Sequence, residues 1–345
     1  MSLSSKNASD NLLINPLFDL WQRGVTFAAA ANGQYGADRF LLSKSVATLV
    51  VTLEQDADVP ATAISKYSMS SRVTTASAAS LTAAEYYSMA QRIEGFNFKR
   101  MNKRNVVLSF WVKSPRTGIH CVAFQNSASN RSYIEEYTIS VVNTWEKKII
   151  KLQHDSAGTW LVDNGIGITV QWIMGMGSNY HSTKSSWLAA DKLSTANQVN
   201  CASTIGNAFK ITEVSLVEGL DEIPSIKLAR RIEHEISLCQ RYYEKTYSLS
   251  VDPATATQEG QVSGTIGSGN ASISSIFKTV KRSQPTMTYY NQAGVSGSWI
   301  EQGSNAARTA TDNTARTNEV GFNVSLAATV TGAEIGGHYT ANSEL

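Results

Sequence analysis

The chain has 345 residues, of which 42% are hydrophobic and 17% charged, and its formal net charge is +2 at pH 7. This length supports two domains with cores of their own, and 30 basic against 28 acidic residues leave no basic footprint for nucleic acid. No window reaches the ~18 apolar residues of a membrane-spanning helix, and the N-terminal stretch lacks the pattern of a secretory signal. Cys121, Cys201 and Cys239 are widely spaced and predict no disulfide framework, so we expect folding in a reducing cytoplasm.

The first dense motif in the chain is NPLFDLWQRG, at residues 15–24. It combines a proline, two large aromatic residues, an aspartate, an arginine and a final glycine in a chain that is otherwise rich in Ser, Thr and Ala. Two interpretations are open from the residues alone. The motif is either an active-site loop or the edge of a β-sandwich, where the chain enters the fold.

Seven short runs that follow are typical of β-strands. Each is rich in β-branched or aromatic residues and is bounded by Gly, Asn, Asp or Ser. This pattern favours an all-β sandwich over βαβ units. Within the second run, alternate residues from Val106 to Val112 share one face, which we expect to be the buried one. The runs are 40–55, 105–114, 119–126, 133–142, 146–153, 166–177 and 208–219.

The polar residues among these runs do not assemble a catalytic constellation. The five histidines do not fall at metal-ligand spacing. Glu135 and Glu136 are adjacent, so on a strand their side chains diverge and make a poor acid–base pair. Asp56 and Asp58 could hold a structural calcium ion through their oxygens, and the alternative is a solvated turn. The sequence therefore predicts a protein that is not an enzyme and needs no cofactor, unless Asp56 and Asp58 hold a structural calcium ion.

One amphipathic helix is predicted over residues 223–247. An apolar stripe at spacings of four, four, three and four runs along it, and Ser225 is a candidate N-cap. We expect this helix either to lie across the sandwich or bridge two domains, or to pack near a subunit axis. The stripe consists of Leu228, Ile232, Ile236, Cys239 and Tyr243.

The remainder of the chain, residues 248–345, predicts a second and smaller β-sandwich domain. A loose, turn-rich stretch of Ser, Thr and Gly comes first, and short strand-like runs then resume. These runs are 275–294, 297–302, 319–332 and 335–345.

Aromatic residues are the remaining candidates for ligand binding, and the chain has seven Trp, thirteen Tyr and ten Phe. A sugar ring can stack on an aromatic side chain that a stiff scaffold holds open to water. The polar segment 177–192 carries Tyr180, His181 and Trp187, and the second domain offers three further candidates. The alternative for each is a loop aromatic folded back onto the core. The candidates of the second domain are Tyr289, Tyr290 and Trp299.

Three stretches in this order carry a resemblance to a known family. They are NLLINPLFDLWQRG with YGADRF, then WLAADK and NCASTIGNAFKITEVSLVEG, and then RRIEHEISLCQRYYEKTY. Together they resemble bacteriophage and prophage tail-fibre or receptor-binding proteins whose entry domain is similar to jelly-roll carbohydrate-binding modules. The resemblance covers about residues 11–247. It implies a jelly roll over residues 11–222, which follows an N-terminal peptide over residues 1–10 and precedes the helix.

The resemblance implies a function as well as a fold. We expect a non-enzymatic virion subunit that forms a homotrimer, contacts other tail proteins and binds host cell-surface polysaccharide through its aromatic and amide groups. Its location would be the virion, after assembly in the bacterial cytoplasm. The alternative is a purely structural virion protein of the baseplate, fibre or head that contacts only other virion proteins. No nucleic acid or membrane insertion is expected.

In such a jelly roll the NPLFDLWQRG motif belongs to the architecture and not to the site. The resemblance implies that it forms a first strand near the closing strand, with bulk from Leu13, Leu17 and Trp21. Arg23 would reach an acid or a carbonyl group, and Gly24 would allow the chain to turn out.

Overall fold

The computed structural model describes residues 6–265, 269–329 and 332–345, and side chains are described except at 269–271 and 327–329. Within these ranges the regular secondary structure is almost entirely β, which confirms the predicted all-β class. The chain divides into two compact units. The first comprises residues up to 19, residues 25–231 and Leu345, and the second comprises residues 20–24 and 232–344. None of the described helices is long and apolar enough to cross a membrane.

The first unit is a jelly-roll sandwich of two six-stranded antiparallel sheets. A single helical turn, α1 (Gly95–Phe98), follows β5. In spatial order, the first sheet consists of β1 (Thr26–Phe27), β3 (Val50–Asp56), β4 (Ser68–Thr75), β12 (Ala208–Glu218), β6 (Val106–Lys113) and β9 (Glu146–Leu152). The second sheet consists of β11 (Trp187–Leu188), β8 (Ser132–Ile139), β7 (Gly118–Gln125), β10 (Ile166–Met176), β5 (Tyr86–Glu94) and β2 (Phe40–Lys44).

The core between these sheets is built around Trp172 on β10, which is fully buried. Its ring centroid lies 5.9 Å from that of Phe110 and 6.1 Å from that of Phe40. The expectation that Phe110 and its alternate neighbours on β6 face the core is confirmed. The opposite face of β6 is buried too, because Val107 packs in a second apolar cluster with Leu17, Val217, Ile223 and Leu228.

Residues 15–24 form turns rather than a strand, and they serve the architecture of both units. In the first unit, Asn15 and Phe18 adopt positive φ angles of 58° and 57°. For a bulky residue such as Phe18 this conformation is strained, and its fully buried ring packs on Phe40 at 4.6 Å. In the second unit, Arg23 forms a 3.1 Å ion pair with Glu344, and Gly24 turns the chain at φ 128°.

The second unit is a smaller β-sandwich that starts with helix α2 (Ile232–Gln240). Its eight-stranded sheet has the order β13-β20-β17-β18-β19-β15, with β14 and β16 also paired to β20. Its core consists of large apolar and aromatic side chains, with Trp299, Phe322 and Tyr339 at its centre. The strands are β13 (Tyr243–Lys245), β14 (Val262–Thr265), β15 (Gly269–Ile276), β16 (Thr286–Tyr290), β17 (Ser298–Glu301), β18 (Ala306–Asp312), β19 (Gly321–Thr329) and β20 (Glu334–Asn342).

Strand β20 is central to this unit, because its two halves pair with different strands. The first half, up to Gly337, pairs with β14 and β17, and the second half, from His338, pairs with β13 and β16. Gly337 lies at the change of partners, where a Cβ atom would come within 2.1 Å of Trp299. A glycine is required here so that the indole can pack directly against the backbone.

The helix is shorter than the predicted 223–247. It covers Ile232–Gln240, whereas Ser225 lies in a separate 3₁₀ turn, Ser225–Lys227, and caps no helix here. Ile232, a member of the predicted stripe, is exposed. Tyr243–Lys245 form β13 instead of a helical turn, because pairing with β20 satisfies their backbone groups. The proposed domain borders at residues 10, 222 and 247 stay predictions.

A buried ion pair joins β13 to the segment after β15. The side chains of Glu244 and Lys281 are both fully buried, and Lys281 Nζ lies 2.6 Å from Glu244 Oε2. Glu244 also accepts a hydrogen bond from the hydroxyl of Tyr339 at 2.6 Å and bonds from the backbone N–H of Lys278. Several donors are needed to offset the large cost of removing a carboxylate from water.

We expect Lys281→Met to destabilise the second unit by about 3 kcal/mol, because it leaves the Glu244 carboxylate buried without its cation. The exposed Arg316 supplies a control, and Arg316→Met should change the free energy of unfolding by less than about 0.5 kcal/mol. Denaturant unfolding measures both. Similar losses for the two variants would contradict a stabilising role for the pair.

A second prediction concerns His120, which is buried on β7 and donates from Nε2 to the carbonyl oxygen of Arg116 at 2.9 Å. Burial lowers its pKa from 6.5 to about 4. Between these two pH values His120 is protonated in the unfolded chain but neutral in the folded chain. The free energy of unfolding is therefore retained above pH 6.5 and falls as the pH drops towards 4. Between pH 7 and pH 5 this amounts to about 2 kcal/mol.

Denaturant unfolding as a function of pH tests this prediction. His120→Gln, which keeps a donor but does not titrate, should flatten the acid slope of the first unit. His154→Gln, at an exposed histidine, should keep the slope. An unchanged slope in His120→Gln would refute the assignment.

Candidate functional site

A polar cleft of about 350 Å³ lies on the outer face of the second sheet in the first unit. Strands β2, β5, β7 and β10 supply its floor, and the start of β5 together with the loops after β7, β10 and β11 supplies its rim. The floor includes Ser43, Ala90, Gln125, Thr169 and Gln171, and the rim includes Tyr86, Asn126, Tyr180 and Asp191.

The alternation of side chains along β10 explains why these groups face outward. Val170 and Trp172 are fully buried in the sandwich core, so Thr169 and Gln171 face the other side. Gln125, at the end of β7, follows the same rule next to the buried Phe124. The floor is therefore polar although each strand reads as mostly apolar.

A chain of hydrogen bonds crosses the floor from one strand to the next. The hydroxyl of Ser88 on β5 donates to Oε1 of Gln171 at 3.4 Å, and Nε2 of Gln171 donates to Oε1 of Gln125 at 3.4 Å. Nε2 of Gln125 in turn donates to Oδ1 of Asp191 at 2.6 Å. Below we call these four residues the Ser88–Asp191 relay. It orients both amides on a stiff sheet.

Of the predicted site residues, Tyr180 lines this cleft. It ends the 3₁₀ turn Ser178–Tyr180, and its ring meets that of Tyr86 edge to face with centroids 5.9 Å apart. Its backbone carbonyl accepts hydrogen bonds from the N–H groups of Leu193 and Ser194. Partial burial raises the pKa of the Tyr180 hydroxyl above its ordinary value. Tyr86 and Tyr180 together form an aromatic rim.

The loop that carries Tyr180 covers the rest of the outer sheet face. Leu193 packs with Cys121, Ala123, Ile134 and Ile173 in an apolar cluster on that face, and Tyr86 and Tyr180 border it. Part of the face is thus closed by the loop, and the polar part remains as the cleft. Burial in this cluster raises the pKa of the Cys121 thiol to about 11, which makes it a poor nucleophile.

His181 and Trp187 are not brought to the cleft lining. His181 donates from Nε2 to the carbonyl oxygen of Met176 at 3.0 Å. Trp187 is half-buried between Tyr133 and Trp160, with ring centroids 5.2 Å away in each case. Its indole N–H donates to the carbonyl oxygen of Gln153 at 2.9 Å. The three loop residues therefore do not form one cluster.

Two of the three candidates in the second unit are core residues, which corrects the prediction for them. Trp299 is fully buried and donates to the carbonyl oxygen of His338 at 3.0 Å. Tyr289 is 4% exposed and bonds to Asp312 at 3.0 Å. Neither ring can stack on a ligand, because the strands around β20 enclose both. Tyr290 is half-buried, with its ring 6.2 Å from that of Tyr247.

The pair Asp56 and Asp58 binds lysines instead of presenting an open set of oxygens. Lys210 Nζ lies 2.6 Å from Asp56 and 2.9 Å from Asp58, and Lys113 Nζ lies 2.7 Å from Asp58. Burial alone would raise the pKa of Asp58, but hydrogen bonds from Lys113, Lys210 and Trp145 outweigh it and lower the pKa to about 2. Two ammonium groups at this position disfavour a calcium ion. Among the described residues, no group of three or more His, Cys, Asp or Glu could hold a metal.

The glutamines and the aspartate of the relay are not among the site residues predicted from the sequence. One signal was present, since Gln171 interrupts an apolar run and Gln125 ends one, both at outward positions. Asp191 carried no signal of its own, because it lies in a polar loop among many similar residues.

The chain matches no family model, and no curated protein matches it. Among solved structures, it is similar to the enzymatically active domain of tailspike protein 4 from bacteriophage CBA120, with 17% identity and a TM-score of 0.33 over 56% of this chain and 21% of that one. The module TmCBM61, solved with β-1,4-galactotriose, shows 11% identity and a TM-score of 0.30 over 61% and 99% of the two chains. A family 11 carbohydrate-binding module of Clostridium thermocellum shows 11% identity and a TM-score of 0.30 over 58% and 99%. This chain thus spans about a fifth of the tailspike chain and nearly the whole of each module.

The different burial of two tryptophans yields a prediction. Trp299→Ala should destabilise the second unit by about 3–5 kcal/mol, because it opens a cavity in a closed core. Trp187→Ala, at a half-exposed ring, should cost less than about 2 kcal/mol. Denaturant unfolding of the two variants gives the comparison, and a smaller loss for Trp299→Ala than for Trp187→Ala would contradict the assignment of Trp299 to the core.

Proposed function

We propose that the first unit binds a bacterial surface glycan in the polar cleft and does not cleave it. The observation that carries the proposal is the Ser88–Asp191 relay, two oriented amides and a carboxylate on a stiff sheet beside the Tyr86–Tyr180 rim. Sugars offer hydroxyl groups to such amides and apolar ring faces to tyrosines. The volume of about 350 Å³ falls within the range of ligand clefts.

Binding is favoured over hydrolysis by the charges of the lining. Asp191 is the one carboxylate among the lining residues that the structure describes. Glycosidases of the common retaining and inverting types use two carboxyl groups that flank the scissile bond. We therefore propose a surface that binds a glycan without cleaving it.

The wider role that we propose is that of a tail-fibre or receptor-binding subunit of a phage virion. Its support is the sequence resemblance over about residues 11–247. In a homotrimer, three shallow clefts would act together, and multivalency would raise a weak single-site affinity by orders of magnitude. Host polysaccharide and other tail proteins would be its partners, and the virion its location.

The test is glycan binding by a cleft variant and a matched control. Gln171→Ala removes one amide of the relay and should weaken glycan binding about tenfold, as expected for loss of hydrogen bonds to a ligand. Gln153→Ala, an exposed glutamine outside the cleft lining, should leave affinity unchanged. Glycan arrays and adsorption to host cells provide the measurements.

Several outcomes would count against the proposal. Failure of the purified protein to bind any host glycan, or equal losses in the two variants, would refute binding at the cleft. Release of reducing ends from host polysaccharide would refute the non-catalytic role. Mass measurement and localisation in particles test the homotrimer and the virion role, and a virion protein that neither adsorbs to cells nor blocks infection would favour the purely structural alternative.

A further inference from the structure

We infer that Asp191 determines the specificity of the cleft and selects neutral, hydroxyl-rich glycans over acidic ones. The inference rests on the proposed function and adds the class of glycan. It depends on two properties of this carboxylate, namely the direction that it imposes on the Ser88–Asp191 relay and the negative charge that it holds at the rim.

The direction of the relay follows from the chemistry of its last member. An ionised carboxylate can only accept hydrogen bonds, so Gln125 must present its N–H₂ group to Asp191 at 2.6 Å. The Gln125 oxygen then faces Gln171, which must in turn present its own N–H₂ group. The hydroxyl of Ser88, which can donate or accept, completes the series as a donor. Asp191 thus orients both amides.

The oriented relay leaves a mixed set of groups for a ligand. Each amide spends one of its two N–H donors and one of two oxygen lone pairs within the relay, which leaves one donor and one acceptor on each side chain. A sugar hydroxyl donates and accepts at once, so it can satisfy both. A carboxylate or sulfate group only accepts and would leave the amide oxygens without a donor, which is costly in a partly desolvated cleft.

The charge at the rim acts in the same direction. Asp191 is exposed, and among the described contacts its Oδ2 atom receives no hydrogen bond. The neighbouring ammonium of Lys192 donates to the carbonyl oxygen of Asn179 at 2.6 Å. Arg92, the other charged lining residue, donates to the carbonyl oxygen of Leu345. A uronic acid next to Asp191 would therefore meet a like charge, whereas the described side-chain hydrogen bond of Arg92 directs its Nη1 group to Leu345.

The test compares affinities for acidic bacterial polysaccharides before and after chemical reduction of their carboxyl groups. This pair keeps the backbone and linkage the same and changes only the charge. The wild-type protein should bind the reduced form at least about tenfold more tightly than the acidic form. Asp191→Asn should bring the ratio close to one, because an amide can donate as well as accept and carries no charge. Asp191→Glu should restore part of the preference.

Asp221→Asn removes the same charge from an exposed position outside the cleft lining and should keep the wild-type ratio. Equal melting temperatures for the two asparagine variants would show that the fold is intact. An unchanged ratio in Asp191→Asn, or a wild-type preference for the acidic form, would overturn this inference while leaving glycan binding in place. Failure of the wild-type protein to bind any member of the panel would overturn the proposed function and this inference with it.

Discussion

The cleft depends on the alternation of side chains along strands whose two faces have different surroundings, the sandwich core on one side and the cleft with its covering loop on the other. On β10, Trp172 and Val170 face the sandwich core. Because side chains alternate along a strand, the Gln171 side chain must point to the opposite face of the sheet. A slip of one residue would move the amide into the apolar core and the indole out of it, at a large cost in free energy. The same packing that stabilises the sandwich therefore holds the polar groups of the cleft in position.

A second determinant is the loop over the outer face of the same sheet. Its residue Leu193 joins Ile134 and Ile173 in an apolar cluster, which closes part of the face and anchors Tyr180 beside Tyr86. The loop also delivers Asp191 to Gln125. One segment thus closes the apolar part of the face, supplies an aromatic rim and ends the relay, so the cleft needs no element beyond the first unit.

In the second unit, strand β20 and the residues around it close the core of a small β-sandwich. Strand β20 changes partners at Gly337, and the indole of Trp299 fills the space that a side chain there would take. The buried pair of Glu244 and Lys281 fixes β13 beside this junction, with Tyr339 as a further donor. In this unit the most prominent aromatic residues and charges are used for stability.

The sequence by itself determined the all-β class, because alternation is a property of neighbouring residues. That residues 15–24 belong to the architecture followed from the family resemblance, since the residues alone left an active-site loop open. The sequence could not determine which aromatic side chains are enclosed in a core and which stay exposed. Trp299 and Trp187 are both tryptophans in short strands, yet one is enclosed and the other half-exposed. Helix length was also open, since pairing of Tyr243 with β20 overrode the helical stripe. Only the tertiary structure joined Ser88, Gln125, Gln171 and Asp191, because antiparallel pairing brings together residues that are more than forty positions apart in the chain.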